Sequence, residues 1–373
     1  MSSPRLDGFR MPGEFEPHAG CWMAWPHRTD NWREQAVPAQ QAFGEVARAI
    51  AQFEPVTMGV PSAQWRQARA MLPANIRVVE IASDDSWLRD QGPTFVTNDR
   101  YELRGINWLF NAWGELYTPY DQDAVIAQKI LEIEDIPRYD CPMVLEGGAI
   151  HVDGEGTCIT TEECLLNHNR NPDLSKTQIE DMLCDYLNVQ KVIWLKRGLY
   201  MDEDTSGHID NIACYVRPGV IALAWEEDKT DPQYARSQEA FEQLVQETDA
   251  RGRRLQVHKI PQPPPQLMTE EECLTLLKPP RSRHSARLKA HAALRPWRFD
   301  QGRAPGKRMA ASYVNFYIAN GGIVMPGFDA PTDVIAYAAI QALFLERKVI
   351  QVYSRDILLG GGNIHCITQQ QPK

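Results

Sequence analysis

Segments with an apolar stripe at helical spacing alternate along this chain with short aliphatic and β-branched runs. That alternation confines it to an α/β fold. In 40–53 the apolar positions Phe43, Val46, Ala47, Ile50 and Phe53 share one helical face, and 55–60 then reads as a strand. The pattern continues with a helix over 62–71, a strand over 76–81, a helix over 123–133 and strand-like runs at 149–152 and 158–160. Ser175 starts another helix, with Gln178 placed to complete a capping box. Strands at 192–195, 220–225, 255–260 and 349–352 enclose helices at 233–245 and 331–345. Neither a glycine-rich dinucleotide fingerprint nor a phosphate-binding P-loop is present.

The 373 residues, 43% of them hydrophobic, suffice for a large core in one large or two medium domains. The net charge of −10 is opposite to that of most nucleic-acid binders and suits a cationic small molecule, although solubility explains it equally well. Eight cysteines without a CxxC pair indicate reduced thiols in a cytoplasm-like compartment. The N-terminal stretch lacks a signal-peptide pattern, and no apolar run is long enough to cross a bilayer. These features predict a cytoplasmic protein with no membrane or nucleic-acid partner. Residues 278–308 break the pattern: ten Lys or Arg against Asp300 alone give +9 locally and leave −19 on the remainder. Such a block reads as a solvated insertion, with a basic binding patch as the sharper alternative.

Several glycine-rich stretches carry a density of chemical groups. Gly360-Gly361-Gly362-Asn363-Ile364-His365-Cys366 presents one thiol on a loop that backbone can approach closely, as a nucleophile requires; a buried, inert cysteine on a tight turn is the competing reading. Asp84 to Pro93 places carboxylates beside Trp87, a combination that suits a planar guanidinium, unless Arg89 pairs internally with Asp85 or Asp90. Glu146 precedes two glycines and a strand, so that it either titrates high, pairs with a base, or merely decorates a turn. In 202–211, His208 and Asp210 alternate on an extended segment and share a face, as a candidate acid/base pair or a structural one. Metal is disfavoured, because no HxH or HExxH spacing occurs. Residues 311–322 read as a core strand ending in a glycine turn, a structural element. Residues 11–33, crowded with Trp, Pro and His, read as an irregular segment, either a lid filling core volume or an aromatic wall around a cation.

Taken together, SWLRDQGPTF (86–95), LEGGAIHVDGEGT (145–157), RNPDLSK (170–176), DEDTSGHIDN (202–211), AASYVNFYIANGG (310–322) and GGGNIHCITQQQP (360–372) closely resemble the agmatine deiminases of plants and bacteria, within the guanidino-group-modifying (pentein) superfamily. The resemblance runs from Met11 to Pro372, apart from roughly 274–307, where the family has a short polar connection and this chain its basic block. It implies a single catalytic domain over 1–373 with an inserted loop at about 274–308. The fold it implies is a five-bladed pseudo-symmetric α/β propeller of ββαβ-like units around a central active site. The implied reaction is cofactor-free hydrolysis of agmatine to N-carbamoylputrescine and ammonia, on a route to polyamines, by a protein that is a homodimer. Matched position by position, Cys366 is similar to the nucleophile, His208 to the general acid/base and Glu146 to its orienting partner. Asp90 and Asp210 match the carboxylates that clamp the guanidinium, Trp87 flanks the bound chain, and Asp204 meets the distal ammonium. Other readings are an arginine or peptidyl-arginine deiminase, and a non-catalytic guanidine- or polyamine-binding protein; an intact Cys, His and Glu set argues against the last.

Overall fold

The computed structural model describes residues 2–276 and 303–373. Their strands form five sheets. Four have three strands each. The first joins β4 (Thr94–Thr97), β5 (Leu103–Leu109) and β6 (Arg138–Val144), and the second β7 (Ile150–Val152), β8 (Thr157–Thr161) and β9 (Lys191–Leu195). The third joins β10 (Ala213–Arg217), β11 (Val220–Trp225) and β12 (Gln256–Pro261), and the fourth β13 (Tyr317–Ala319), β14 (Gly322–Gly327) and β15 (Lys348–Tyr353). The fifth runs β16 (Thr368–Pro372), β1 (His18–Ala24), β2 (Val56–Val60), β3 (Arg77–Glu80).

Every sheet repeats one pattern: its first strand is antiparallel to its second, and its second is parallel to its third. A parallel pair needs a crossover, and a helix supplies it each time. These helices are Val37–Ile50, Ile126–Ile133, Lys176–Leu187, Pro232–Leu244 and Thr332–Leu343. The architecture is therefore a five-bladed propeller of ββαβ units. One blade is assembled from both ends of the chain: β16 lies against β1 in the register Cys21↔Gln370, Trp22↔Gln369, Met23↔Thr368. The second strands β8, β11 and β14 are buried along their whole length, as in Val-Ile-Ala-Leu-Ala-Trp of β11, whereas β5 leaves Leu109 exposed. Among the described residues no helix is long and apolar enough to cross a membrane.

The longer helices lie where periodicity puts them, and Ser175 with Gln178 forms the expected capping box on Lys176–Leu187; the seven-residue strands β1, β5 and β6 do not appear among the expected runs. Three expectations need correction. Residues 11–33 are not irregular throughout. They contain β1, and Trp22, Trp25 and Trp32 are among the most buried side chains of the core. In 311–322 the strand is confined to Tyr317–Ala319, with Gly322 opening β14; Ser312 to Phe316 form a buried turn. Most of the basic block, 277–302, lies outside the described residues; at its end 304–306 are exposed, but the three charged side chains there are anchored. Arg303 donates to the carbonyls of Asn31, Leu359 and Gly360 at 3.1, 2.7 and 2.6 Å and to the Tyr117 hydroxyl at 3.0 Å. Lys307 pairs with Glu203 at 2.7 Å and Arg308 with Asp231 at 2.6 Å.

Candidate active site

In each blade a short turn leads into the first strand, and each of these turns places a polar side chain in one buried cluster. Leu88–Gln91 precedes β4 and carries Asp90; Gly147–Ala149 precedes β7 and is capped by Glu146. Ile209–Asn211 precedes β10 and holds His208 at its cap and Asp210 within it. The turn before β13 supplies Asn315, and the glycine loop before β16 supplies Cys366. His208 and Asp210 thus sit on a 3-10 turn, not on the extended segment expected from their alternation. They face the same site because the turn wraps around Gly148.

That glycine is the junction of the cluster. A methyl group at Gly148 would lie 2.6 Å from His208 Nδ1, 2.9 Å from Asp90 Oδ1 and 3.0 Å from Asp210 Oδ2. Its amide donates to Asp90 Oδ1 at 3.0 Å, and Trp113 Nε1 donates to the other Asp90 oxygen at 2.9 Å. The Cys366 sulfur lies 3.6 Å from Asp210 Oδ2 and 3.2 Å from Asn315 Nδ2. His208 approaches Asp90 through Nδ1 at 3.8 Å and Glu146 through Nε2 at 3.9 Å, distances of ion pairing rather than of a hydrogen bond. Glu146 is held in turn by Arg170, 2.6 Å away, with both side chains fully buried. Among the described residues Asp210 Oδ1, Glu146 Oε2 and both His208 nitrogens have no hydrogen-bond partner, so polar capacity remains for a bound molecule.

Behind Asp210 stands His365, whose Nδ1 is 2.8 Å from Asp210 Oδ2 and whose Nε2 is 2.7 Å from Glu14 Oε2. Donating to two carboxylates requires both ring protons, so this imidazole is a cation. Burial and the nearby Arg89 oppose that charge, but Glu14 and Asp210 hold the His365 pKa above its usual value. Burial likewise opposes ionisation of Asp210, yet its bond to His365, with the charges of His365, His208 and Arg89, keeps it below the usual carboxylate range. Asp90 lacks such a partner. Burial, with Asp210 and Glu146 nearby, pushes it up to about 6. Burial alone would lower His208, but Asp90, Cys164 and Glu146 hold it well above the ordinary histidine value. Burial opposes the charge on Glu146, and Arg170 with His208 overcomes it. The Cys366 thiol is driven well above its ordinary pKa by burial, then by Asp210 and Asp90. A sulfur between two acids is a neutral thiol at neutral pH, contrary to a resting thiolate.

Trp87 packs against Trp32 at 5.1 Å between ring centroids and borders the glycine loop: a methyl at Gly362 would lie 2.6 Å from its ring and 3.1 Å from the Cys366 sulfur. Gly361 takes φ +112°, and a methyl there would meet Asp204 Oδ2 at 2.6 Å and Arg303 Nη2 at 3.5 Å. Asp204 therefore stands beside the glycine loop, where burial raises its pKa against the pull of Arg303 and Lys307. The acidic run 202–204 is not all free to meet a ligand. Asp202 turns inward to the His208 amide and Asn211, and Glu203 pairs with Lys307. Arg89 pairs with neither Asp85 nor Asp90; it reaches Gln370 at 2.6 Å and Glu14 at 3.7 Å. Asp85 instead accepts from Trp32 and Asn31.

Two residues of the cluster were not legible in the chain. Asn315 lay in a run read as structural. Trp113 sits where Ala112, Trp113 and Glu115 all take left-handed backbone angles, with Trp113 at φ +56°. Non-glycine residues adopt that region at a cost, which marks the loop as held in place for its contacts.

Chains that match this one carry the same architecture. The family model of the Porphyromonas-type peptidyl-arginine deiminases matches residues 10–372. The chain belongs to this family. The agmatine deiminase of Pseudomonas aeruginosa (strain LESB58) is 55% identical over 379 residues, covering 100% of this chain and 97% of that one. The agmatine deiminase of Medicago truncatula is 52% identical over 388 residues, covering 100% and 98%. A solved structure of the agmatine deiminase of Enterococcus faecalis superposes with a TM-score of 0.89 at 45% identity, covering 100% of this chain and 98% of that one.

Two buried trios in this family member have metal-ligand chemistry: Glu14, His151 and His365, and Glu146, Cys164 and His208. In the first, both His365 nitrogens already serve carboxylates and Arg89 adds a cation. In the second, Arg170 neutralises Glu146 and burial keeps the Cys164 thiol protonated. Neither donor set favours a divalent ion.

Proposed function

We propose that this protein hydrolyses agmatine to N-carbamoylputrescine and ammonia through a covalent amidino-thioether on Cys366. One observation carries the mechanism: a thiol, an imidazole and three carboxylates, scattered from Asp90 to Cys366, meet around Gly148 in a site where each is at most 5% exposed. The curated relatives named as agmatine deiminases, matched along the full chain, support the substrate.

The guanidinium lies between Asp90 and Asp210, whose carboxylates neutralise and fix it. Its arrival places a cation where two acids had kept the thiol protonated, so Cys366 releases its proton to solvent. The thiolate attacks the central carbon and forms the S–C bond. His208, already an imidazolium, gives its proton to one amino nitrogen, the C–N bond breaks and ammonia leaves. The cationic amidino-thioether remains. Neutral His208 then takes a proton from water as its oxygen attacks the same carbon. Collapse breaks the S–C bond as the hydroxyl proton of the adduct passes to the departing sulfur, which releases the neutral ureido product and restores the thiol. Glu146, anchored by Arg170, stabilises the imidazolium form of His208, and His365 with Glu14 keeps Asp210 ionised. General acid/base catalysis of this kind is worth roughly 10²–10⁴-fold. Trp87 flanks the chain of the substrate, and Asp204 beside the glycine loop meets the distal ammonium.

The enclosed site favours a small diamine over a peptide, whose backbone would have to enter with its arginine. The test is product analysis with agmatine, arginine and a blocked arginine peptide. Ammonia and N-carbamoylputrescine from agmatine, with little from the other two, is the expected result. Preferred turnover of arginine or the peptide assigns a different deiminase, and binding without turnover assigns a binding protein. Asp204→Ala should lower the preference for agmatine over arginine; an unchanged ratio removes that residue from the distal subsite.

A further inference from the structure

We propose that Arg303 is a positioning residue of the reaction: its guanidinium holds the glycine loop that carries Cys366 against two other loops of the site. The inference rests on the reading of Cys366 as the nucleophile.

The glycine loop needs an anchor outside itself. The short helix Arg355–Leu358 leads into it, and the amides of Gly360 and Gly361 still turn back to the carbonyls of Ile357 and Leu358, at 2.9 and 3.0 Å. The helix ends there, so the carbonyls of Leu359 and Gly360 take their donors from elsewhere. Arg303 supplies them, Nη1 to Leu359 at 2.7 Å and Nη2 to Gly360 at 2.6 Å. Gly361 and Gly362 follow, and glycine is the least constrained residue, so contacts rather than backbone preference fix the path. Those contacts are close. A methyl group at Gly360 would collide with the Trp32 ring and lie 2.9 Å from Trp87, and one at Gly361 would lie 2.6 Å from Asp204 Oδ2 and 3.5 Å from Arg303 Nη2. One at Gly362 would lie 3.1 Å from the Cys366 sulfur. A displacement of the loop therefore carries the sulfur with it.

The same guanidinium reaches two further stretches of chain. Nη1 donates to the Asn31 carbonyl at 3.1 Å and Nη2 to the Tyr117 hydroxyl at 3.0 Å. Both lead to groups placed at the substrate. Asn31 and Trp32 donate to Asp85 at 3.0 and 2.9 Å, and Trp32 packs on Trp87. Tyr117 packs edge-on against Trp113 at 5.9 Å, and Trp113 donates to Asp90. One planar fork thus ties the nucleophile loop to the stretches behind Trp87 and Asp90. Four acceptors spread over three stretches suit a rigid guanidinium. A lysine ammonium would keep the charge beside Asp204 but is a point donor that cannot span them.

The test compares wild type, Arg303→Lys and Arg303→Met in two assays, with circular dichroism and thermal melts giving the folded fraction. With agmatine, kcat per folded molecule should fall by about tenfold or more in both variants while KM changes by less than about threefold, because alignment is lost and the residue does not touch the substrate. Alkylation of Cys366 by iodoacetamide at one fixed alkaline pH, mapped by peptide mass, should become faster in both, because a released loop uncovers a sulfur that is 3% exposed. A merely structural contact would lower the melting temperature and move neither readout. Folded Arg303→Lys with kcat within about threefold of wild type overturns the proposal, as does a loss carried by KM alone or an alkylation rate unchanged in both variants. If Arg303→Met does not fold, Arg303→Lys decides. Wild type that leaves agmatine untouched refutes the assigned reaction, and the alkylation rates still decide whether Arg303 holds the loop.

Discussion

Substituting Gly148 by alanine adds one methyl group at the point where three of the proposed groups meet. The backbone there is not in the left-handed region, so the effect is steric rather than conformational. The new carbon would lie 2.6 Å from His208 Nδ1, whereas ordinary contacts begin near 3.4 Å. His208 must retreat by about 0.8 Å, or the 146–149 turn must move and carry the Asp90 hydrogen bond with it. A misplacement of roughly 1 Å costs on the order of 10²-fold in a reaction that depends on alignment. Ammonia release from agmatine should therefore fall about 100-fold in kcat/KM, equivalent to about 2.7 kcal/mol of transition-state stabilisation. Overpacking should cost the fold roughly 1–3 kcal/mol, so the protein still folds and its melting curve verifies this. Gly44→Ala is the control. Its methyl group would meet only the flexible end of Arg48, at 3.3 Å, and turnover should be unchanged. Folded Gly148→Ala that retains activity within about threefold of wild type would refute the claim that His208, Asp90 and Asp210 act together around this glycine.

The acid limb of kcat/KM should fall as pH drops through about 6, because Asp90 is held there by burial and loses the charge that binds the guanidinium; the limb should vanish in Asp90→Asn, at greatly reduced activity. The sign for stability is the reverse. A folded pKa raised above the unfolded value means that ionising Asp90 opposes folding, a penalty absent below about pH 4 and complete above about pH 6, so Asp90→Asn should gain in melting temperature over wild type at pH 7 and not at pH 4. Arg170→Met should cost roughly 3–5 kcal/mol in urea unfolding, since it strands a fully buried Glu146; a loss below about 1 kcal/mol would show that Glu146 is already neutral.

Periodicity revealed the long helices, the buried middle strands β8 and β11 and most of the third strands, because burial of one stripe or of a whole run imprints directly on residue type; the middle strands β1, β5 and β14 escaped it. Among the first strands it found β7, overstated the three-residue β13, and missed β4, β10 and β16. β16, Thr-Gln-Gln-Gln-Pro, reads as a polar tail although it is nearly all buried. Its burial comes from closing the ring against β1, a contact between chain ends that no local pattern records. The site followed the same division. Cys366, His208, Glu146, Asp90 and Asp210 announced themselves as reactive groups beside glycines and through family resemblance. Asn315 did not, since an asparagine before a strand is ordinary until the fivefold arrangement places it opposite the sulfur. Trp113 likewise gains its meaning only from Asp90, which lies in another part of the chain. The charge of the basic block was legible, but the burial of Arg303 against the glycine loop depended on carbonyls distant in sequence.

The covalent step on sulfur is the centre of this account, and one measurement reaches it most directly. Wild type and Cys366→Ala are mixed with agmatine, quenched in acid during turnover and digested for peptide mass mapping. The account predicts that the wild-type peptide containing Cys366 gains the mass of agmatine less that of ammonia, and that Cys366→Ala binds agmatine but shows neither adduct nor ammonia. Turnover by Cys366→Ala near the wild-type rate, or an adduct on a different residue, would contradict it.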